Sequence, residues 1–426
     1  MKVFLDSVGC RLNQSEIERI ARKFLQAGHV VVADVLEADL VVINTCAVTA
    51  KAASDSRGKI RLAARVNPKV KIISTGCWST LEPERAAQMD NIVQLVLNEN
   101  KDTLAQEFLG LADVEGKPSQ TESWPSLPGS YADLRAFIKV QDGCDNFCTF
   151  CVTRVVRGKS TSLPIQGILS EIQSAAKSGV NEVVLSGVNL GSWGRDLSQS
   201  DTLRTLLKTI LKESDIKRIR LSSLEPWDID GSFFELWENP RLCRHFHLPL
   251  QSGSDRILKR MGRRITSRDF VRLVREAYAL IPDLALTTDI IIGFPGEEQV
   301  DFEKTSALVE EVGFSGGHVF NYSPRPKTPA LAFSPEIDSA VKKERSRIMR
   351  LQFQQLHRQF RMQQINKTFQ VLWEHSAQIA PNTWKLTGFT DTYLKTQVLC
   401  SEDRLGKLES IRITGVVQSM LQGNIQ

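Results

Sequence analysis

The residues of this chain that could do chemistry are its cysteines. Eight are spread over 426 residues, far too few for a disulfide scaffold, and grouped thiols in such a chain point to metal or redox chemistry. Cys144-Asp-Asn-Phe-Cys148-Thr-Phe-Cys151 puts three thiols at C-x3-C-x2-C spacing on one short loop. Three thiolates so placed can wrap one metal centre. A structural zinc or a ferredoxin cluster takes four ligands, yet no fourth Cys or nearby His follows; three would leave one iron of a 4Fe-4S cluster open to a reacting molecule. The competing readings are a zinc that borrows a distant fourth ligand and three cysteines that merely pack together.

A second set is geometrically pointed. Cys10, Cys46 and Cys77, in Val8-Gly9-Cys10, Asn44-Thr45-Cys46 and Thr75-Gly76-Cys77, each follow a predicted parallel strand. The carboxyl ends of strands form the ligand crevice of open α/β sheets, so the three could converge on another three-ligand centre. The alternative is that each is a small buried hydrophobe. Cys243 and Cys400 are isolated and read as packing residues, and the six histidines show no ligand spacing. His245 and His247 read as one face of a strand.

The elements that must position these residues follow from periodicity. Residues 2–97 alternate short apolar runs with amphipathic stretches, predicting strands at 3–5, 30–35, 40–43, 70–74 and 92–97 with crossover helices. Asn13 and Glu16 read as a capping box, Ile17, Ile20, Ala21, Phe24 and Leu25 form one apolar face, and Gly28 follows the helix end. Residues 112–132 collect Pro118, Pro125 and Pro128 without periodicity, as a linker would. A second α/β series has predicted strands at 136–141, 182–186, 218–222, 245–250, 285–292 and 315–322. An eight-unit barrel takes about 250 residues, so six units in this length suggest an incomplete parallel barrel, with a doubly wound sheet as the alternative. A helical stretch at 341–367 carries eight Lys or Arg against the single acid Glu344. Short strand-like runs at 370–374, 384–389, 394–399 and 410–416 then predict a small antiparallel barrel. The fold expected is α/β: a flavodoxin-like doubly wound sheet over 1–111, a linker at 112–132, a partial (β/α)6 barrel over 133–365 and a small β-barrel over 366–426.

Composition narrows the class. Apolar residues make up 42% and charged ones 24%, and no apolar run is long enough to span a membrane. The N-terminus meets Asp6 before any signal-peptide-like stretch, so a cytosolic location is expected. Lys and Arg, 54 against 49 Asp and Glu, leave a formal charge of +5, too little alone to announce nucleic-acid binding.

C-x3-C-x-Phe-C after a first barrel strand resembles the radical S-adenosylmethionine (SAM) superfamily, and the upstream domain with three cysteines resembles its methylthiotransferase family. The likeness runs through GCRLNQ (9–14), NTCAVTAKA (44–52), STGC (74–77), CDNFCTFC (144–151), RG (157–158), SGVNLGSWG (186–194), LSSLEP (221–226), HLPLQSGSDRILKRMGRR (247–264) and DIIIGFPGE (289–297). The resemblance implies an auxiliary 4Fe-4S cluster on Cys10, Cys46 and Cys77 and a SAM-cleaving 4Fe-4S cluster on Cys144, Cys148 and Cys151. It implies that Phe150 lies by the adenine of SAM, Gly187 and Asn189 by its methionine end, and Ser223 and Glu225 by its ribose or amino group. It further implies that the terminal β-barrel binds RNA, as the TRAM-like domains of the family do, and that a reducing protein such as flavodoxin or ferredoxin supplies electrons. In the implied reaction one SAM methylates a sulfur held by the auxiliary cluster, and a second yields the radical that removes hydrogen from an unactivated C–H. GCRLNQ and NTCAVTAKA resemble the branch that modifies C2 of N6-threonylcarbamoyladenosine at position 37 of tRNA. The same chemistry on isopentenyladenosine or on a ribosomal protein side chain is the alternative, and a non-catalytic iron–sulfur or zinc RNA-binding protein is the alternative of another class. Helix 341–367 and Arg256, Lys259, Arg260, Arg263, Arg264, Arg268, Arg272 and Arg275 would suit phosphate contacts; solvated helix faces are the plainer reading. The chain departs from the family in VTRVVRG after Cys151, where a Pro-Tyr pair is common, and in Trp-Ser-Thr after Cys77, where Tyr-Ala-Gln is common. Trp193 could contact ligand or pack in the core, and Gly293 and Gly296 shape a turn.

Overall fold

The computed structural model describes residues 1–110, 134–198 and 201–426; the expected linker at 112–132 lies outside them. The chain divides into two compact units, one of 1–178, 185–201 and 323–331, the other of 179–184, 202–322 and 332–426.

In the first unit β1 (Lys2–Ser7), β2 (Val30–Val31), β3 (Leu40–Thr45), β4 (Lys71–Gly76) and β5 (Ile92–Val96) form a parallel sheet in the order β2-β1-β3-β4-β5. This is the flavodoxin-like order, whose switch point lies between β1 and β3. All six residues of β3 are buried, as the apolar run of a strand covered on both faces requires. Strand 30–35 is cut to Val30–Val31 because Asp34 accepts from the Leu36 N–H at 2.9 Å and turns the chain into a short 3-10 segment.

Helix α1 (Arg11–Gln26) carries the expected apolar face, with Ile17, Ile20, Ala21 and Phe24 buried. The capping box is not observed. The helix starts earlier, with Cys10 at its N-cap and no side-chain cap. Asn13 and Glu16 lie inside it, drawn into buried bonds with other elements. Later in the unit β6 (Arg135–Lys139) leads into the C-x3-C-x2-C loop, which is followed by a short helix α2 (Thr153–Arg157).

In the second unit the strands β7 (Arg218–Leu221), β8 (His245–His247), β9 (Ala285–Ile292) and β10 (Gly316–Asn321) alternate with helices Leu203–Glu213, Ser267–Leu280 and Gln299–Val312. β8, β9 and β10 pair in parallel in sequence order. The expected strand at 245–250 stops at His247; beyond it the Leu250 N–H bonds the Thr288 hydroxyl at 2.9 Å rather than a backbone partner. Helix Ser339–Met362 is shorter than the expected 341–367 at its far end.

A closed barrel ends the chain: β11 (Thr368–Ala380), β12 (Thr383–Thr390), β13 (Lys395–Cys400), β14 (Leu408–Val417) and β15 (Met420–Ile425), in the order β11-β12-β13-β15-β14. Its fifth strand was not expected from sequence. The Gln418-Ser419 hairpin turn has φ of +49° and +67°, a geometry that Asn-Gly ordinarily signals. Within the same unit Arg220, fully buried, donates to the Thr390 and Asp391 carbonyls while paired with Glu182 at 2.9 Å. No helix among the described residues is long and apolar enough to cross a membrane.

Candidate active site

Cys10, Cys46 and Cys77 extend from the carboxyl ends of β1, β3 and β4, which are adjacent in the sheet with Ser7 beside Asn44 and Thr45 beside Gly76. Two glycines let them approach. A side chain at Gly9, where φ is +104°, would lie 2.6 Å from the Cys46 sulfur. One at Gly76, where φ is +97°, would lie 2.4 Å from the Thr45 carbonyl. Neither position accepts a Cβ without strain. Cys46 and Cys77 are buried and Cys10 is exposed. Burial pushes the Cys46 thiol up to about 12, and the neighbouring Cys10 and Cys77 add to the shift. A buried thiol raised further by neighbouring thiols belongs to a donor set that a cation would relieve.

Buried polar groups surround this set. The Asn98 amide N–H lies 3.7 Å from the Cys77 sulfur and donates to the Val156 carbonyl at 2.7 Å. Cys10 lies 3.7 Å from the Asn13 side-chain oxygen, which accepts from Arg157 at 2.7 Å. Glu16 is the hub beneath. It meets Lys101 at 2.7 Å, Arg157 at 2.8 Å, Lys139 at 3.5 Å and the Asn44 amide at 3.0 Å. Burial alone would raise its carboxyl, but Arg157, Lys101 and Lys139 hold it well below the usual carboxylate range. Asp142 is a second acid of the group, 2.8 Å from Arg157 and 2.9 Å from Lys139. Asp102, 3.4 Å from Lys139, balances the third cation, and Arg157 feels the charge of the Cys77 sulfur. Arg157 opposes the burial that raises the Cys10 and Cys46 thiols, without overcoming it.

The C-x3-C-x2-C loop belongs to the same unit. The Cys144 N–H donates to the Gly158 carbonyl at 3.1 Å and Cys151 N–H to the Cys148 carbonyl at 3.1 Å, folding the loop on itself. Gly143, at φ +65°, passes so near Lys159 that an added Cβ would lie 1.8 Å from its carbonyl oxygen. Gln141 braces the loop, donating to the Gly143 carbonyl at 2.7 Å while its oxygen accepts from the Asn189 N–H at 2.9 Å. A Cβ at Gly187 would lie 2.9 Å from that same oxygen. Cys144, Cys148, Cys151 and Phe150 are all partly exposed. The loop, Gly187 and Asn189 are thus joined through one glutamine that sequence reasoning passed over.

Among the described residues no group of three Cys, His, Asp or Glu side chains is gathered tightly enough to hold a single ion. A 4Fe-4S cluster makes a different demand, because it takes each thiolate on a separate iron. The donor chemistry of both triads, three thiols without a fourth, fits that group.

Of the other expected SAM residues, Ser223 and Glu225 belong to the second unit, as does Arg263. Arg263 is buried, bonds Glu225 at 2.8 Å and lies over the Trp227 ring at 4.4 Å. Burial raises the Glu225 carboxyl against the pull of Arg263. Arg263 is therefore not a phosphate contact, and most of the basic group is likewise engaged. Arg256 pairs with Asp301, Arg260 bonds the Pro295 and Ser334 carbonyls, Arg272 pairs with Asp269, and Arg275 with Glu311. In the basic helix Arg345 is buried against Glu297 at 2.6 Å. Lys259, Arg264 and Arg268 stay exposed. Trp193 is 1% exposed and donates to the Leu163 carbonyl, a core residue.

Comparison with known proteins agrees with this anatomy. The family described as "Uncharacterized protein family UPF0004" matches residues 2–98, and the Radical SAM superfamily matches 138–325. The chain is 36% identical over 420 residues to the threonylcarbamoyladenosine tRNA methylthiotransferase MtaB of Thermotoga maritima, covering 96% of this chain and 94% of that one. It is 31% identical to the MtaB of Bacillus subtilis, covering 96% and 93%. It is also 31% identical to the tRNA-2-methylthio-N(6)-dimethylallyladenosine synthase of Clostridium tetani, covering 99% and 95%. Among solved structures, the radical S-adenosylmethionine methyltransferase TsrM of Kitasatospora setae shares the fold with a TM-score of 0.58 at 15% identity, over 77% of this chain and 76% of that one.

Proposed function

The chain belongs to the radical SAM methylthiotransferase family, and from that membership we propose that it adds a methylthio group to C2 of N6-threonylcarbamoyladenosine at position 37 of tRNA. The observation that carries the reading is the likeness to the MtaB enzymes along nearly the whole chain, supported by two cysteine triads in one unit. Enzymes of this family work with SAM and two 4Fe-4S clusters, which when bound supply the electron that cleaves SAM and the sulfur that is transferred.

The chain's own residues then have separable tasks in this proposal. Cys144, Cys148 and Cys151 hold the SAM-cleaving cluster, and Cys10, Cys46 and Cys77 the auxiliary one. Each triad leaves one iron without a protein ligand. Gln141 fixes the spacing between the loop of the first triad and the backbone at Asn189. With Phe150, Gly187 and Asn189 that loop contacts SAM in this proposal, and the family resemblance alone assigns Ser223 and Glu225 to SAM. Asn13 and Asn98 orient Cys10 and Cys77, and Arg157 opposes the burial that raises the Cys10 and Cys46 thiols. The domain division proposed is 1–111 for the auxiliary-cluster domain, 112–132 as linker, 133–365 for the SAM core and 366–426 for the RNA-binding barrel. A reducing protein such as flavodoxin or ferredoxin supplies electrons in the cytoplasm.

The test is anaerobic reconstitution with SAM, a reductant and tRNA carrying threonylcarbamoyladenosine, read by mass spectrometry of the digested nucleosides. The expected product is the 2-methylthio derivative of that nucleoside. A product only on isopentenyladenosine would move the chain to the other tRNA branch, and cluster and SAM binding without SAM cleavage would overturn the enzymatic reading.

A further inference from the structure

The segment 323–331 belongs to the first unit and is pinned at both ends beside cysteines. Near its start the Ser323 hydroxyl accepts from the Ala50 N–H at 3.2 Å, four residues past Cys46. Near its end the Ala330 N–H donates to the Thr149 carbonyl at 2.9 Å, between Cys148 and Cys151. Between these anchors Thr328 closes a turn by donating to the Arg325 carbonyl at 2.7 Å, so the segment is a strap leading from one cysteine set to the other.

Arg325 lies on that strap with only 6% of its surface exposed. Its Nε and Nη2 are buried, and among the described residues no protein group accepts a hydrogen bond from them. A buried guanidinium without an acceptor is costly and seldom retained without a ligand. Its surroundings offer no full relief. Burial and the like charge of Arg57 disfavour its ionised form, and Glu82 and Cys46 act against them; yet Glu82 is already bonded to Arg85 at 3.1 Å. Arg57 is half-buried, 5.7 Å from the Trp78 ring. The one carboxylate acting on Arg325 is thus already held by another cation.

The geometry points to Arg325 as a receptor for an oxyanion of the substrate RNA, held between the two cysteine sets where the acceptor base must be presented. A planar guanidinium fork matches the paired oxygens of carboxylate or phosphate, which favours an oxyanion over a cluster sulfur as its partner. The tRNA offers two such groups, the carboxylate of a threonylcarbamoyl modification and a backbone phosphate. Neither demands a group the strap lacks. The inference rests on the proposed function insofar as the ligand is tRNA.

The experiment measures binding of an anticodon stem-loop RNA to the reconstituted wild type, Arg325→Gln and Arg325→Lys, with iron content measured on each. Three RNAs are compared: one with threonylcarbamoyladenosine, one with its methyl ester and one with plain adenosine. Loss of one charge-assisted fork predicts a weakening of about 10- to 100-fold for Arg325→Gln, with part recovered by Arg325→Lys. Weakening confined to the carboxylate-bearing RNA assigns the modification as the oxyanion. Equal weakening on all three, with a salt slope smaller by about 0.7 to 0.9, assigns a phosphate. Unchanged affinity at unchanged iron overturns the inference, and so does loss of iron with retained affinity for RNA. If the wild type binds these RNAs but methylthiolates another nucleoside, the proposed substrate fails while the Arg325 comparison still stands. If it binds none of them, both fall.

Discussion

Glu16→Gln tests whether the buried charge hub holds the auxiliary-cluster domain together. Glu16 and Lys101 are 2.7 Å apart with side chains 1% and 2% exposed. Arg157 and Lys139 would keep Asp142 at 2.8 Å and 2.9 Å after the change. Lys101 would not: among the described residues Glu16 is the one carboxylate paired with it. The substitution is nearly isosteric, so packing should survive and the loss should be electrostatic. Stranding one member of a buried ion pair costs about 3–5 kcal/mol, or about 100- to 5,000-fold in a local opening equilibrium. Native-state hydrogen exchange at the amides of α1 reads that opening directly, without assuming that the whole chain unfolds in one step. The companion variants are Lys101→Met and the double variant, in which no charge is stranded at this pair. The double should be less destabilised than the two singles added together, by about 2 kcal/mol or more. Strict additivity, or protection of α1 unchanged in Glu16→Gln, would refute the reasoning.

Two further perturbations follow from the same unit. Burial raises the Glu18 carboxyl to about 7, with Gln14 and Arg22 opposing it only in part. The folded chain therefore keeps a proton that the unfolded chain releases above its ordinary carboxyl pKa. Stability from this group is full below that value, falls as pH rises and levels off above pH 7, a loss of roughly 3 kcal/mol in all. Glu18→Gln should flatten this slope in denaturation midpoints between pH 5 and 7; an identical slope in the variant would show that Glu18 is not the titrating group. Gly143→Ala places a Cβ 1.8 Å from the Lys159 carbonyl oxygen at a residue with φ of +65°. It should displace the C-x3-C-x2-C loop while sparing the other triad, so reconstituted iron should drop from about eight to about four per chain. Full iron would mean that the loop tolerates the shift.

What could be seen in the sequence was what the local pattern determines. Strands 182–186 and 285–292 coincide with those observed, because short stretches rich in β-branched and apolar residues become strands wherever they are packed. The cysteines too were legible, since strand-end position and loop spacing are local properties. The misread residues were those whose partners are remote. Asn13 and Glu16 fit a capping box locally, but Asn44, Lys101 and Arg157 lie 31, 85 and 141 residues away along the chain. A buried carboxylate near several cations overrides a cap that contributes about 1 kcal/mol. Several cations of the basic stretch at 256–275 meet carboxylates for a related reason. Asp301 lies 45 residues beyond Arg256, and no pattern of cations announces the carboxylates that will meet them.

The same remoteness explains why both cysteine triads sit on one unit. Residues 156–158 form a wall shared by the two: the Val156 carbonyl bonds Asn98, whose amide reaches Cys77. Arg157 bonds Asn13 and Glu16 beneath Cys10, and the Gly158 carbonyl receives the Cys144 N–H. A methylthiotransferase must bring a SAM-derived radical and a sulfur to one carbon, and misplacement by about 1 Å can cost about 100-fold in rate. Two centres on separately moving domains would meet that tolerance only transiently. Three consecutive residues bonded toward one set or the other tie the two together, and the buried pairs at Glu16 hold Arg157 in place. The short helix at 153–157 is thus where the spacing between the proposed clusters is set, although none of its residues is a proposed ligand.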